Sequence, residues 1–268
     1  MKTFDHRQHN RRAWDQLAKK KNRFAIPASE ADLIEPLQKV DGPGWLGSSI
    51  ADKRLLCLAA GGGRHGPIYA AAGAKVTVVD ISPEMLELDR MIAKRHGFAL
   101  QVVETSMEDL SMFDDASFDI VIHPVSTCYV PSTEQVFNEV ARVTLAGGCY
   151  ISQHKQPTSL QATLEPERNG YTVVHSYQNA ETLPPITKEN LVREQGTAEF
   201  IHTWEALLGQ MCRAGFAIQD LIEPSHADPA AAPGSFAHRS QFIAPYVRVK
   251  ALRTNELPKK HNAIIHLE

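Results

Sequence analysis

The sequence predicts an α/β fold: a doubly wound, mostly parallel sheet with helices on both faces. Three observations carry this. Short apolar runs alternate with helical segments from residue 54 to residue 153, the order of a parallel sheet with crossover helices. The first run is broken by Gly61-Gly62-Gly63, where a chain leaving a buried strand turns sharply into a helix. Near the C-terminus, Phe216 to Ile222 and Gln241 to Ala251 read as two strands joined by a Pro/Ala-rich loop, Pro224 to Gly234, too short for a packed crossover helix. A pair joined in that way is antiparallel.

The elements follow in order. Arg54 to Ala60 (RLLCLAA) is a continuous apolar run, the pattern of a strand buried on both faces. His65 to Ala72 reads as a short helix stopped by Gly73, and Lys75 to Val79 (KVTVV) as a β-branched second strand. Ser82 caps the next helix, with Pro83 at its first position, Glu84 in its first turn and Gly97 at its end. Ala99 to Val103 and Phe118 to His123 (FDIVIH) are strands three and four. Ser132-Thr133-Glu134-Gln135 reads as a capping box opening a helix with Val136, Val140 and Val143 on one stripe. Gly147-Gly148 is expected to end that helix, and Cys149 to Gln153 to be strand five. After Pro157 the rhythm is lost for about 45 residues, with only Tyr171 to Tyr177 alternating like a strand. Trp204, Leu207, Leu208, Met211 and Cys212 then mark an amphipathic helix closed by Gly215. The tail beyond Pro258 is expected to be loosely held.

Composition narrows the function classes. The chain has 268 residues, 43% apolar and 22% charged, with a formal net charge of −3. That is an ordinary globular composition with no overall attraction to nucleic acid or to an anionic membrane surface. Its longest stretch without Asp, Glu, Lys or Arg runs only from Ile120 to Thr133 and contains Pro124 and Pro131, so no membrane-spanning helix fits. The polar N-terminus does not read as a secretory signal. Four cysteines without a CxxC make a reducing cytoplasm the expected location. The 12 histidines include no HxH and no HExxH, and the closest pairs, His6/His9 and His261/His266, lie near the two ends. A metal site needs three or four converging ligands, and none is expected.

Charge is uneven. Residues 1–23 hold eight basic and two acidic side chains, while the rest is acidic. A solvated helical arm satisfies this pattern. Trp14, Leu17 and Ala18 share one helical face, so the same segment also suits a lid over a ligand site.

The chemistry gathers at the carboxyl ends of the first strands, where open α/β sheets bind ligands. Gly61-Gly62-Gly63-Arg64-His65-Gly66 fits GxGxxG, and Asp80 follows at the end of strand two. Glycines let the backbone approach a ligand, and a helix N-terminus offers free N–H groups to an anion. A carboxylate at Asp80 can accept from both hydroxyls of a ribose. The constellation points to an adenosine-type cofactor and leaves NAD and S-adenosylmethionine both open.

Two features favour the latter: some 50 residues precede the glycine loop, and the last strand pair is antiparallel. A resemblance adds a third. LLCLAAGGGRHG (55–66), VTVVDIS (76–82), MEDLSMFDDASFDIVIHPVSTCYVP (107–131) and EVARVTLAGG (139–148) resemble the successive motifs of class I S-adenosylmethionine-dependent methyltransferases. TWEALLGQMCRAGFAIQDLIEP (203–224) is similar to that family's late helix and sixth strand. The likeness covers about residues 50–250. It implies a Rossmann-like seven-stranded sheet with the last strand antiparallel. It further implies that Ala60, Gly61 and Gly63 pass close to the methionine part of the cofactor, with its carboxylate near the helix N-terminus. Asp80 would hold the ribose, Ile81 would pack on the adenine, and Met107 and Glu108 would line the adenine's other side. Ser106 stands where the family often has Asp, and Leu145-Ala146-Gly147-Gly148 replaces its usual Lys-Pro-Gly-Gly. His123, just past strand four, would face the sulfonium and the substrate.

A sulfonium methyl is already an activated electrophile, so in-line attack needs chiefly positioning, with a base only where the nucleophile must lose a proton. His123, His154 and Tyr129 are the candidate bases. The histidines could equally be hydrogen-bonded strand-end residues, and Tyr129 a packing residue. His65 either touches the cofactor carboxylate or faces water. Cys128 has no evident thiolate activator. The expected protein is a methyltransferase acting on a small-molecule acceptor. An NAD-dependent oxidoreductase and a non-catalytic S-adenosylmethionine-binding module are the competing readings. Residues 1–50 form a helical segment or lid, 51–252 the sheet domain with 155–202 as a substrate-side insertion, and 253–268 a tail.

Overall fold

The computed structural model describes residues 4–168, 170–186 and 190–255. The chain opens with α1 (His6–Lys19), capped by Asp5, whose carboxylate accepts from Gln8 N at 3.0 Å. Leu17 and Ala18 are buried along one face of it, and Trp14 packs edge-on against Tyr129 at 5.6 Å. A short α2 (Pro36–Val40) leads to β1 (Arg54–Leu58), α3 (His65–Ala71), β2 (Lys75–Asp80), α4 (Pro83–His96) and β3 (Leu100–Glu104). The termini of α4 are those its sequence specifies: Ser82 Oγ accepts from Met85 N at 3.1 Å, Pro83 opens the first turn, and Gly97 closes the helix at φ +71°.

The second half comprises β4 (Phe118–His123), α5 (Glu134–Val143), β5 (Thr144–Lys155), α6 (Pro157–Gln161), a π-helical turn at Glu205–Gly209 continuing as α7 (Gln210–Arg213), β6 (Phe216–Ile222), α8 (Phe236–Arg239) and β7 (Tyr246–Arg253). The sheet has seven strands in the order β3-β2-β1-β4-β5-β7-β6. Neighbours are parallel from β3 to β5, whereas β7 runs antiparallel to both β5 and β6. Each face buries its own apolar layer. Leu56, Leu58, Val121 and Tyr150 face Val136, Phe137 and Val140 of α5. Leu55, Cys57, Val76 and Val78 face Tyr69 of α3 and Leu86 of α4. Alternate residues of one strand thus belong to opposite layers, which explains the unbroken apolar runs. No helix among the described residues is long and apolar enough to cross a membrane.

Several local expectations are corrected. The capping box at α5 does not form: Ser132 Oγ accepts only from Glu134 N, and Gln135 Nε2 donates instead to Glu108 O at 2.8 Å. Nor do Gly147 and Gly148 end that helix, since β5 begins directly at Thr144. Gly148 serves a close backbone approach: a Cβ there would lie 2.7 Å from Leu145 O and 3.0 Å from Asp119 O, where the β4–β5 register shifts. Tyr171 to Tyr177 forms no strand and holds only an isolated bridge, Ala162 with Val173. The last strand starts at Tyr246 rather than Gln241, because Pro245 before it has no N–H to give a ladder. The predicted tail lies outside the described residues beyond Asn255, as do Pro258, His261 and His266.

Candidate active site

At the end of β1 the chain turns through Ala59, whose φ of +49° is unusual for a residue with a side chain, into the glycine loop. A Cβ on Gly61 would lie 2.9 Å from Met85 Cβ and 3.0 Å from Asp80 Cγ, and one on Gly63 2.8 Å from Leu88 O. The loop therefore lies flat against α4 and the end of β2, and only glycine permits it. Asp80 closes the arrangement: its Oδ2 accepts from Gly61 N and its Oδ1 from Ser82 N, both at 2.9 Å. Burial outweighs these bonds and raises its pKa to about 6.

A second buried carboxylate holds the same loop. Asp89 Oδ2 accepts from Gly62 N at 2.9 Å and Gly63 N at 3.0 Å, while Oδ1 has no partner. Burial raises this carboxyl to about 7 against those bonds. Sequence reasoning missed Asp89, although a signal exists. It is the one acid on the buried stripe of α4, between Met85 and Leu86 on one side and Ile92 and Ala93 on the other.

A cavity of about 480 Å³ opens over the loop, within the range of small-molecule sites. Of the residues singled out in the sequence, Ala60, Gly61, Asp80, Ile81, Met107, Glu108 and Tyr129 line it, as do Ser106 and His65. Gly63 lies behind the wall with its N–H on Asp89. Burial, with Arg64 and Arg248 nearby, lowers His65 to about 4. Across the top run His6, Arg7, Asn10 and Trp14 of α1. Glu108 Oε2 accepts from Arg7 Nε at 2.7 Å, His6 Nε2 at 3.1 Å and Ser106 Oγ at 3.0 Å. Burial alone would raise the Glu108 carboxyl, but the bonds from Arg7 and His6 hold its pKa below the usual value. Asn10 ties the same helix to the other side, donating to Tyr129 O and Ala198 O and accepting from Ala198 N.

His123 and His154 do not line this cavity. Both are buried, and His123 sits one residue behind the wall, bonded to Ser126, which does line the cavity. His123 shares hydrogen bonds with Tyr150 Oη at 2.8 Å and Ser126 Oγ at 2.6 Å. His154 does so with Thr127 Oγ1 at 2.9 Å and Ser152 Oγ at 2.8 Å. Burial lowers each to about 3, and His123 and His202 add to the effect on His154. Tyr129 Oη donates to Glu194 Oε2 at 2.6 Å, and burial followed by the Glu194 charge pushes the phenol well above its ordinary value. Cys128 is buried too, and its thiol is raised by desolvation. Lys155, Glu194 and Glu199 form an ion cluster behind Tyr129 that no sequence pattern announced. The carboxylates lie 39 and 44 residues from the lysine, in a segment without periodicity.

The comparisons with known proteins agree with this geometry. A family model described as a methyltransferase domain matches residues 56–152. The chain is 36% identical over 228 residues to an uncharacterized methyltransferase, YbaJ, of Bacillus subtilis (strain 168), covering 80% of this chain and 89% of that protein. The chain belongs to the class I S-adenosylmethionine-dependent methyltransferases. An S-adenosylmethionine dependent methyltransferase from Mesorhizobium loti shares the fold of this methyltransferase at a TM-score of 0.61 and 18% identity, covering 80% of this chain and 97% of that one. So does the geranyl diphosphate C-methyltransferase from Streptomyces coelicolor A3(2), solved with Mg2+, geranyl diphosphate and S-adenosyl-L-homocysteine. Its TM-score is 0.61 at 16% identity, with 94% and 99% of the two chains covered.

The residues present fit the S-adenosylmethionine that such methyltransferases use. A Cβ on Gly61 would strike Met85 and Asp80, so glycine there lets the loop backbone lie against Asp80 at the cavity wall. Asp80 accepts from Gly61 N on Oδ2 and Ser82 N on Oδ1, and a carboxylate's remaining lone pairs leave acceptor capacity for ribose hydroxyls. Ile81 and Met107 offer apolar surface to the base. Among the described residues no group of three or more His, Cys, Asp or Glu is placed to hold a metal ion.

Proposed function

We propose that this methyltransferase acts on a small-molecule acceptor, held in the cavity between the glycine loop and the 190–202 segment. The observation that carries the reading is closure. Helix α1 crosses the mouth, Asn10 pins it to Ala198 and Tyr129, and Arg7 pins it to Glu108. A folded macromolecule would have to displace that helix, whereas a small acceptor does not.

When bound, S-adenosylmethionine supplies an activated methyl, so the protein's work is to exclude water and place the acceptor in line. Asp80 and the glycine loop would fix the cofactor end, and α1 would cover it. Tyr129 and Glu194 would bound the acceptor end. A non-catalytic binding module would have its 155–202 segment fill the acceptor space; here that segment contributes Glu194 to the wall of an open cavity.

The test uses methyl-tritiated S-adenosylmethionine with a cell extract separated by size before the reaction. Label should move into the small-molecule fraction and stay out of protein and nucleic acid. Label confined to the macromolecular fraction would overturn the reading.

A further inference from the structure

We propose that Glu194 is the carboxylate that takes up the acceptor's proton, and hence that the acceptor's nucleophile is an O–H or N–H group. This rests on the small-molecule reading above. The side chains of Lys155, Arg193, Glu194 and Glu199 are all nine-tenths or more buried. Lys155 Nζ donates to Glu194 Oε2 and Glu199 Oε1, both at 2.6 Å, and Arg193 Nε donates to Glu199 Oε2. Burial alone would push the Lys155 ammonium down, but the two carboxylates overcome this and raise its pKa. Two cations thus face two anions away from water.

Such a cluster is expensive to desolvate, and well-packed apolar residues often stabilise a fold as well. Its position points to chemistry, because it reaches the cavity at one place. Glu194 and Tyr129 line the wall. Both hydrogen bonds of Glu194 fall on Oε2, and Oε1 makes none among the described residues. Tyr129 and Lys155 act as positioning residues that fix the carboxylate with Oε1 open to a ligand. The other wall carboxylates are committed: Asp80 to the loop and the ribose, Glu108 to Arg7 and His6. His123 and His154 have both ring nitrogens engaged. In the transfer, the acceptor atom forms its bond to the methyl carbon while the methyl–sulfur bond breaks with its electron pair going to sulfur. The acceptor's proton moves to Glu194 Oε1, and from there to solvent after product release.

Trp14, Val125 and Val130 give the space near Tyr129 apolar walls, so phenol and its methyl ether anisole are suitable probes, alike except for the O–H. Calorimetry is run on the full chain saturated with S-adenosylhomocysteine, for wild type, Glu194→Gln and Glu194→Asp. The second variant keeps the charge beside Lys155 but withdraws the carboxylate. Wild type should bind phenol about tenfold more tightly than anisole, as expected for a hydrogen bond to a charged group, and both variants should lose that preference. Equal affinity for the two probes in wild type, including no binding of either, would overturn the proposal, and so would a preference that survives in the variants. Failure to bind S-adenosylhomocysteine would instead remove the methyltransferase reading itself.

Discussion

Asp89 Oδ2 accepts the backbone N–H of Gly63 at 3.0 Å, from inside α4 and without exposure to water. Part of the glycine loop's hydrogen-bonding capacity is therefore satisfied by the protein before any ligand arrives, and the loop is held in shape by a helix. Asp89→Ala should leave Gly63 N–H without its acceptor, at a cost of about 1–3 kcal/mol, and weaken S-adenosylhomocysteine about tenfold. Chemical unfolding and calorimetry check the two effects.

The same carboxyl sets a pH dependence of known sign. Its pKa is raised to about 7 by burial, so the folded chain binds the proton more tightly than the unfolded one. The favourable contribution is complete below the unfolded carboxyl value near 3.8 and is lost as pH rises through about 7. Stability of wild type relative to Asp89→Asn should accordingly fall between pH 4 and pH 7, measured by urea midpoints across that range.

The histidines work in the opposite sense. His123 is lowered to about 3 by burial, so it is neutral in the fold and stabilising above its unfolded value near 6.5. That contribution is lost as pH falls through the window between 6.5 and 3. His123→Gln should flatten this acid loss. His123→Ala should cost about 2–4 kcal/mol, since it opens a cavity and removes the partner of the buried Tyr150 hydroxyl. A rate profile whose limb near pH 6 to 7 disappeared with His123 would speak for a proton-transfer role instead.

Arg7 reaches Glu108 across the cavity mouth. Arg7 is half exposed, so Arg7→Ala should change unfolding stability by at most about 1 kcal/mol. Release of S-adenosylhomocysteine should nevertheless quicken up to about fivefold if the bond from α1 to Glu108 delays it, which corresponds to the same ~1 kcal/mol. Stopped-flow displacement measures this. An unchanged release rate would show that α1 does not act as a lid.

What the sequence revealed follows from how local each signal is. Ser82, Pro83 and Gly97 specify the ends of α4 from within a few residues, and the runs RLLCL and FDIVIH specify strands buried on both faces. The glycine loop and Asp80 were legible because their spacing is fixed by one strand–turn–helix–strand unit. Gln135 and Gly148 misled because their roles are tertiary: one reaches Glu108 O, the other lets β5 approach β4. Asp89 was hidden as a single acid in an apolar stripe. Glu194 and Glu199 were hidden because their partner Lys155 sits on a distant strand, so neither periodicity nor spacing connects them.

The central claim is that Asp80 and the glycine loop bind the adenosyl cofactor of a methyltransferase. Thermal-shift titration of wild type and Asp80→Ala with S-adenosylhomocysteine and with NADH tests it most directly. Wild type should be stabilised by S-adenosylhomocysteine alone, by about 2.7 kcal/mol at a ligand concentration of about 100 Kd, and the variant should lose that gain. Stabilisation by NADH, or an S-adenosylhomocysteine shift undiminished in Asp80→Ala, would contradict it.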